Sequence, residues 1–263
     1  MKFNGIDTAA KISAEQAQKL KAEGVSFVGR YLVPATGTTA WKALSEAEAR
    51  AIREAGLALL LIWETSPARV KGGQIAGKTD ATMARALAEA MHVPSGTVIV
   101  FAADYNVQPD DYAAVHEYLY GASCVLSPYQ VGLYGHEKIV NEMAARSVCC
   151  YFMQCVAWSN QFSWRANVIQ YAWQGDQRAK AVEKKVGFAV DLCAADSLSQ
   201  MWGPIEPAPW YEDTMRWAIA EGIVTEERPL DKPTRAEVLQ MFRNYDRRFE
   251  PEDKKSDSGL LSD

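Results

Sequence analysis

Four carboxylates occupy comparable places in this sequence, each closing an apolar run. They are Asp7 after Phe-Asn-Gly-Ile, Glu64 after Leu-Leu-Ile-Trp, Asp104 after Val-Phe-Ala-Ala and Asp191 after Phe-Ala-Val. A carboxylate at the end of an apolar strand is costly to bury without a partner or a task. One alone reads most simply as a cap for the following turn. Four such run ends in one chain point instead to acid–base chemistry. Hydrolysis of a glycosidic bond needs two such groups, one protonated to assist the leaving oxygen and one acting as base, nucleophile or stabiliser. Aromatic rings stand nearby in the sequence: Tyr31, Trp63, Tyr105, Tyr134 and Trp173 lie at or just beyond the same run ends, with Gln174 next to the last. Flat rings stack on sugar faces and an amide binds hydroxyls, whereas the plainer reading has the rings filling gaps at a rim.

Other chemistries find less support. His92, His116 and His136 are scattered, with no HxH or HExxH spacing, so no metal site is expected. No GxSxG elbow offers a serine nucleophile. No GxGxxG follows the first run, so neither a dinucleotide nor any other cofactor is implied. The five cysteines form an odd set without a CxxC pair and read as free thiols, mostly buried.

The runs that carry these residues read as strands alternating with helices. Strands are expected at 3–8, 25–32, 57–64, 97–104, 129–134, 151–157, 167–173 and 186–193. Helices are expected from 13, from 45 to about 56, and over 79–91, 110–120 and 137–145. Ser13 with Gln16 three residues on has the form of a helix start. In the last third the strands crowd together, leaving little room for helices. Eight strands with helices between the early ones predict a TIM-like α/β barrel, in which strand C-termini converge on one mouth.

Residues 1–202 are assigned to this barrel and 203–209, with three prolines, to a linker. Residues 210–249 hold two helical patterns, the second opened by a capping box at Thr234 and Glu237, and 250–263 form a polar tail expected to be disordered. The chain of 263 residues has a net charge of −5, which argues against nucleic acid as a partner. No run is long enough to span a membrane. The first seven residues lead straight into a strand, so no signal peptide is expected; the protein would be made in the cytoplasm and reach any wall target after release.

Taken in order, Gly5-Ile-Asp-Thr, Val98-Ile-Val-Phe-Ala-Ala-Asp-Tyr, Val131-Gly-Leu-Tyr-Gly, Ile169-Gln-Tyr-Ala-Trp-Gln and Ala189-Val-Asp-Leu resemble the glycoside-hydrolase-like barrels related to family 25 lysozymes, over roughly residues 3 to 195. The resemblance implies a glycan groove at the strand C-termini and cleavage after N-acetylmuramic acid. It matches Asp7 to the family's first-strand Asp. The family's Asp-x-Glu pair on the fourth strand falls on Ala102 and Asp104 here, so one carboxylate is missing and the other is shorter. The acid is therefore expected to be Asp104 or Glu64, Asp7 the second carboxylate, and Asp191 an orienting group. Residues 210–249 resemble a single S-layer homology module, whose expected contacts are a wall polymer, the barrel or a second copy of the chain. Together these resemblances imply a peptidoglycan hydrolase of phage or prophage endolysin type. The alternatives are a non-catalytic wall-glycan-binding barrel, favoured by Ala102, and a hydrolase of another glycan.

Overall fold

The computed structural model describes residues 1–159 and 161–205. The assignments made for 206–209, for the S-layer-homology-like segment 210–249 and for the tail 250–263 lie outside the described residues. Met1–Ile205 forms one compact unit.

Fourteen main elements follow one another: β1 (Phe3–Asp7), α1 (Ala14–Ala22), β2 (Phe27–Tyr31), α2 (Glu46–Glu54), β3 (Ala58–Trp63), α3 (Gly73–Ala90), β4 (Val98–Ala102), α4 (Tyr112–Ser123), β5 (Gln130–His136), α5 (Glu137–Ala145), β6 (Tyr151–Cys155), β7 (Val168–Ala172), α6 (Gln177–Val186) and β8 (Asp191–Ala195). The eight strands close in sequence order into one barrel. This is the TIM-like α/β architecture expected from the sequence, with one difference of direction. β1 to β7 pair in parallel, whereas β8 runs antiparallel to both β7 and β1.

Two sequence expectations need correction in the last third. The strand predicted over 186–193 begins only at Asp191, and its first residue, Val186, closes α6, a helix that was not anticipated. The helix carries ordinary signals. The Asp176 side chain accepts from the Arg178 amide at its start, and Gly187 takes the left-handed conformation (φ 85°) that ends it. Buried Val186 adjoins Phe188, Ala189 and Val190, and that apolar run resembled a strand.

Alternation along the strands sorts the core into two layers. Inside the barrel sit Phe27, Leu60, Ile62, Val98, Val100, Met153 and Val168. Between strands and helices sit Ile6, Val28, Leu59, Leu61, Ile99, Phe101 and Leu133. At the end opposite the strand C-termini, Met201 enters the inner layer and Trp202 pairs with Leu59 through backbone hydrogen bonds of 2.8 and 2.9 Å. The Arg53 guanidinium lies 4.4 Å over the Trp202 ring, and its Nε donates to the Gly203 carbonyl. That end is thus sealed, which leaves the C-terminal mouth as the place for chemistry.

Candidate active site

β1 ends on Asp7, whose side chain points inward. Its neighbour on β2, Gly29, has no Cβ for a reason of space: a methyl there would lie 2.6 Å from the Asp7 Cβ. On the other side Asp7 stands opposite Asp191 in the antiparallel β1–β8 register. The Gln170 side chain on β7 ties the two together, its Nε2 donating to Asp7 Oδ2 at 2.8 Å and to Asp191 Oδ2 at 2.9 Å. The two hydrogens of a planar amide diverge, so these oxygens are held roughly 5 Å apart, a spacing within the range of paired glycosidase carboxyls. The Tyr134 hydroxyl donates to Gln170 Oε1 at 2.9 Å, and the buried Cys193 thiol reaches Asp7 Oδ2 at 3.4 Å. The Gln174 backbone amide donates to Asp191 Oδ1 at 2.6 Å.

Asp104 follows β4 by two residues, its amide donating to the Pro67 carbonyl. Glu64 follows β3 and accepts from Lys42 Nζ at 2.8 Å, with both side chains about one-tenth exposed. The same ammonium lies 4.3 Å over the Tyr31 ring. The loop after Asp7 is pinned from outside the barrel. Fully buried Arg30 donates from Nε to Glu48 Oε1 at 2.7 Å and from Nη1 to the Thr8 carbonyl, while Glu48 Oε1 also accepts from the Ile12 amide.

The electrostatics follow from packing carboxylates together out of water. Burial pushes Asp7 up to about 8, with the Asp191 charge adding to the rise and the Cys193 and Gln170 hydrogen bonds opposing it. Burial also raises Asp104, helped by Glu64 and opposed by Lys42. Asp191 is raised by burial as well, against the pull of the Gln174 amide. Tyr31 and Tyr134 are raised by burial and by these same carboxylates, so both hydroxyls keep their protons. Among the described residues no group of three or more His, Cys, Asp or Glu is placed to hold a metal ion.

With this geometry in hand, comparison with known proteins is informative. Residues 18–195 match the model of the Rv2525c-like, glycoside hydrolase-like domain. The chain belongs to that family. It is 28% identical over 182 residues to the uncharacterized protein FadG of Bacillus subtilis (strain 168), spanning 65% of this chain but only 31% of that relative. The Mycobacterium tuberculosis Tat-secreted protein Rv2525c, solved in complex with L-tartrate, superposes with a TM-score of 0.66 at 22% identity, covering 76% of this chain and 99% of that one. The catalytic domain of endolysin ply40, from bacteriophage P40 of Listeria monocytogenes, shares the fold at a TM-score of 0.50 and 16% identity, covering 76% and 97%. The family match stops at residue 195, so it lends nothing to the S-layer-homology or phage expectations.

Within this Rv2525c-like barrel the predicted residues divide. Asp7, Tyr31, Glu64, Asp104, Tyr134 and Asp191 come together at the mouth, where their charges act on one another. Asp191 arrives by an unexpected route, as the first residue of an antiparallel strand rather than the last of a parallel one.

Trp63 does not join them. It is 1% exposed and points outward against Phe101, ring centroids 6.4 Å apart, so the expectation that it lines the cleft is wrong. Tyr105 likewise turns toward the start of α3 and α4, under Lys71 Nζ at 4.8 Å and beside Asp111. Trp173 is half exposed just past β7. Gln174 contributes its backbone amide to Asp191.

Sequence reasoning missed Gln170, Lys42 and Cys193. Gln170 could have been found, because a polar side chain shares the inward face of β7 with Val168. Lys42 lies in the loop after β2, where no periodicity reports on orientation.

Proposed function

We propose that this mouth cleaves a glycosidic bond in bacterial cell-wall glycan, as a muramidase-type hydrolase. The observation that carries the reading is the convergence of Asp104 with the Gln170-bridged Asp7 and Asp191, all with raised proton affinity, inside an otherwise apolar barrel. A carboxyl kept protonated near neutral pH is what a leaving glycosyl oxygen requires. We assign the acid's role to Asp104 rather than Glu64, because burial raises the proton affinity of Asp104 while the Glu64 carboxylate is already engaged by Lys42. Asp7 and Asp191, coupled through Gln170 and holding one proton between them near neutral pH, then supply the second carboxylate, and their shared negative charge faces the positive charge that develops on the sugar ring. Half-exposed Trp173 offers a stacking surface for a neighbouring sugar. The likeness of fold to an endolysin catalytic domain supports the choice of wall glycan as substrate.

A second reading, a barrel that binds wall glycan without cutting it, draws on Ala102. Its inward-facing methyl stands where related lysozymes are expected to have a carboxylate. Purified peptidoglycan separates the two. A hydrolase releases new reducing sugar ends, identified by mass spectrometry, and Asp104→Asn loses about 10²–10⁴-fold in rate while still adsorbing. Adsorption with no released ends from the unmodified protein would establish the binder instead.

A further inference from the structure

Gln170 is on β7 in the same rung as two buried thiols, Cys155 of β6 and Cys193 of β8. Both flanking side chains are short, which leaves the longer amide room to reach the mouth. Three of the four bonding directions of that amide are used. Oε1 accepts from Tyr134, and the two Nε2 hydrogens go one to Asp7 and one to Asp191. A flipped amide would turn Oε1 toward two carboxyl oxygens, so the arrangement is held from both ends. The consequence differs for the two acids. Asp191 has both oxygens engaged, Oδ2 by Gln170 and Oδ1 by the Gln174 amide. Asp7 has Oδ2 bonded to Gln170 and Cys193, while Oδ1 has no hydrogen-bond partner among the described residues.

We propose that Gln170 is the positioning residue of this mouth: oriented by Tyr134, it fixes Asp191 as an anchor and leaves Asp7 Oδ1 as the one oxygen of the pair free to meet a substrate. This rests on the hydrolase reading for its chemistry, though not for its geometry. An amide suits the task better than a cation, because it donates to both acids without neutralising either. Lysine or arginine at this position would favour the ionised form of both carboxyls. The groups that also act on the pair are Asp104 after β4, Tyr31 of β2, Tyr134 of β5, Cys193 of β8 and Glu183 of α6, while Glu64, Lys42 and Cys155 act one step away, on Asp104 and the two tyrosines.

The test uses the full chain, with ¹³C NMR titration of the Asp carboxyls beside pH–rate profiles on purified peptidoglycan. Gln170→Leu removes both donors, so Asp7 should titrate at higher pH and the acidic limb of the profile, where the pair loses its charge, should move the same way. The rate constant kcat should fall on the order of 10²-fold with little change in KM, the size expected from a misplaced group. Gln170→Glu should be inactive at neutral pH and recover toward acid pH, where a protonated Glu can again donate, a rescue that a filler residue would not show. Tyr134→Phe leaves the packing intact but frees the amide to turn, and should shift the Asp7 titration in the same direction by less. It serves as the readout should Gln170→Leu fail to fold. An Asp7 titration unmoved by Gln170→Leu or by Tyr134→Phe overturns the proposal. Shifted titrations in a protein whose unmodified form releases no sugar ends would uphold the positioning and remove the hydrolase reading instead.

Discussion

Replacing Asp7 by Asn removes a carboxyl that the fold holds in its proton-bearing form. Burial and Asp191 raise Asp7 from its ordinary 3.8 to about 8. An acid with a raised folded-state pKa costs nothing below its unfolded value and progressively more as pH climbs to the folded one. At about 1.4 kcal/mol per unit, the cost at pH 7 has a ceiling of about 4 kcal/mol. Water entry and proton sharing with Asp191 reduce this to about 2 kcal/mol. Asparagine carries no such cost, and its Oδ1 can still accept from Gln170. The variant should therefore match the unmodified protein near pH 4 and gain stability up to pH 8. By pH 7 its Tm should stand roughly 4–8 °C higher, since 1 kcal/mol is worth about 2–4 °C in a domain of this size. Activity should be lost throughout. Thermal melts followed by circular dichroism from pH 4 to 8.5 measure the difference. A gap that stays flat over that range, or an Asn variant less stable at pH 8, would refute the argument and make Asp7 a structural hydrogen-bonding hub.

The two tryptophans should behave oppositely. Trp63→Ala opens a cavity beside Phe101 and should cost about 3–5 kcal/mol in urea unfolding, whereas half-exposed Trp173→Ala should leave unfolding unchanged and weaken adsorption to wall glycan. Glu48→Gln leaves the fully buried Arg30 guanidinium without its counter-charge, and should cost about 3–5 kcal/mol, again by urea unfolding. Lys42→Met removes the cation that holds Asp104 down, so the alkaline limb of the pH–rate profile should move upward.

The barrel was legible because apolar runs at regular spacing leave few other ways to bury them, and the acids closing those runs were legible for the same reason. Parity along the strand was equally available and would have improved the aromatic set. Glu64 and Trp63 are neighbours, as are Asp104 and Tyr105, and adjacent residues at a strand end take opposite faces. If the acids face the mouth, Trp63 and Tyr105 cannot. The direction of β8 was not legible, since pairing sense depends on partners remote in the chain. Asp191 was nevertheless expected at the correct end because two errors cancelled: the strand was placed before it instead of after it, and its direction was taken as parallel. Lys42 approaches Glu64 through the fold of a loop, and no local pattern encodes that.

The meeting of β1 with β8 bears on when this mouth comes into being. Asp7 and Asp191 belong to the first and last strands and become neighbours only as the ring shuts. Joining them closes a loop of nearly the whole domain, an entropic cost of about 5 kcal/mol before any contact is rewarded. On the ribosome, a growing chain can build most of its parallel sheet while these two acids remain apart. The pair cannot form until β8 has been made, together with that seam of the barrel. A chain made only as far as β7 therefore lacks the Asp7–Gln170–Asp191 bridge, and any chemistry that depends on it waits for β8.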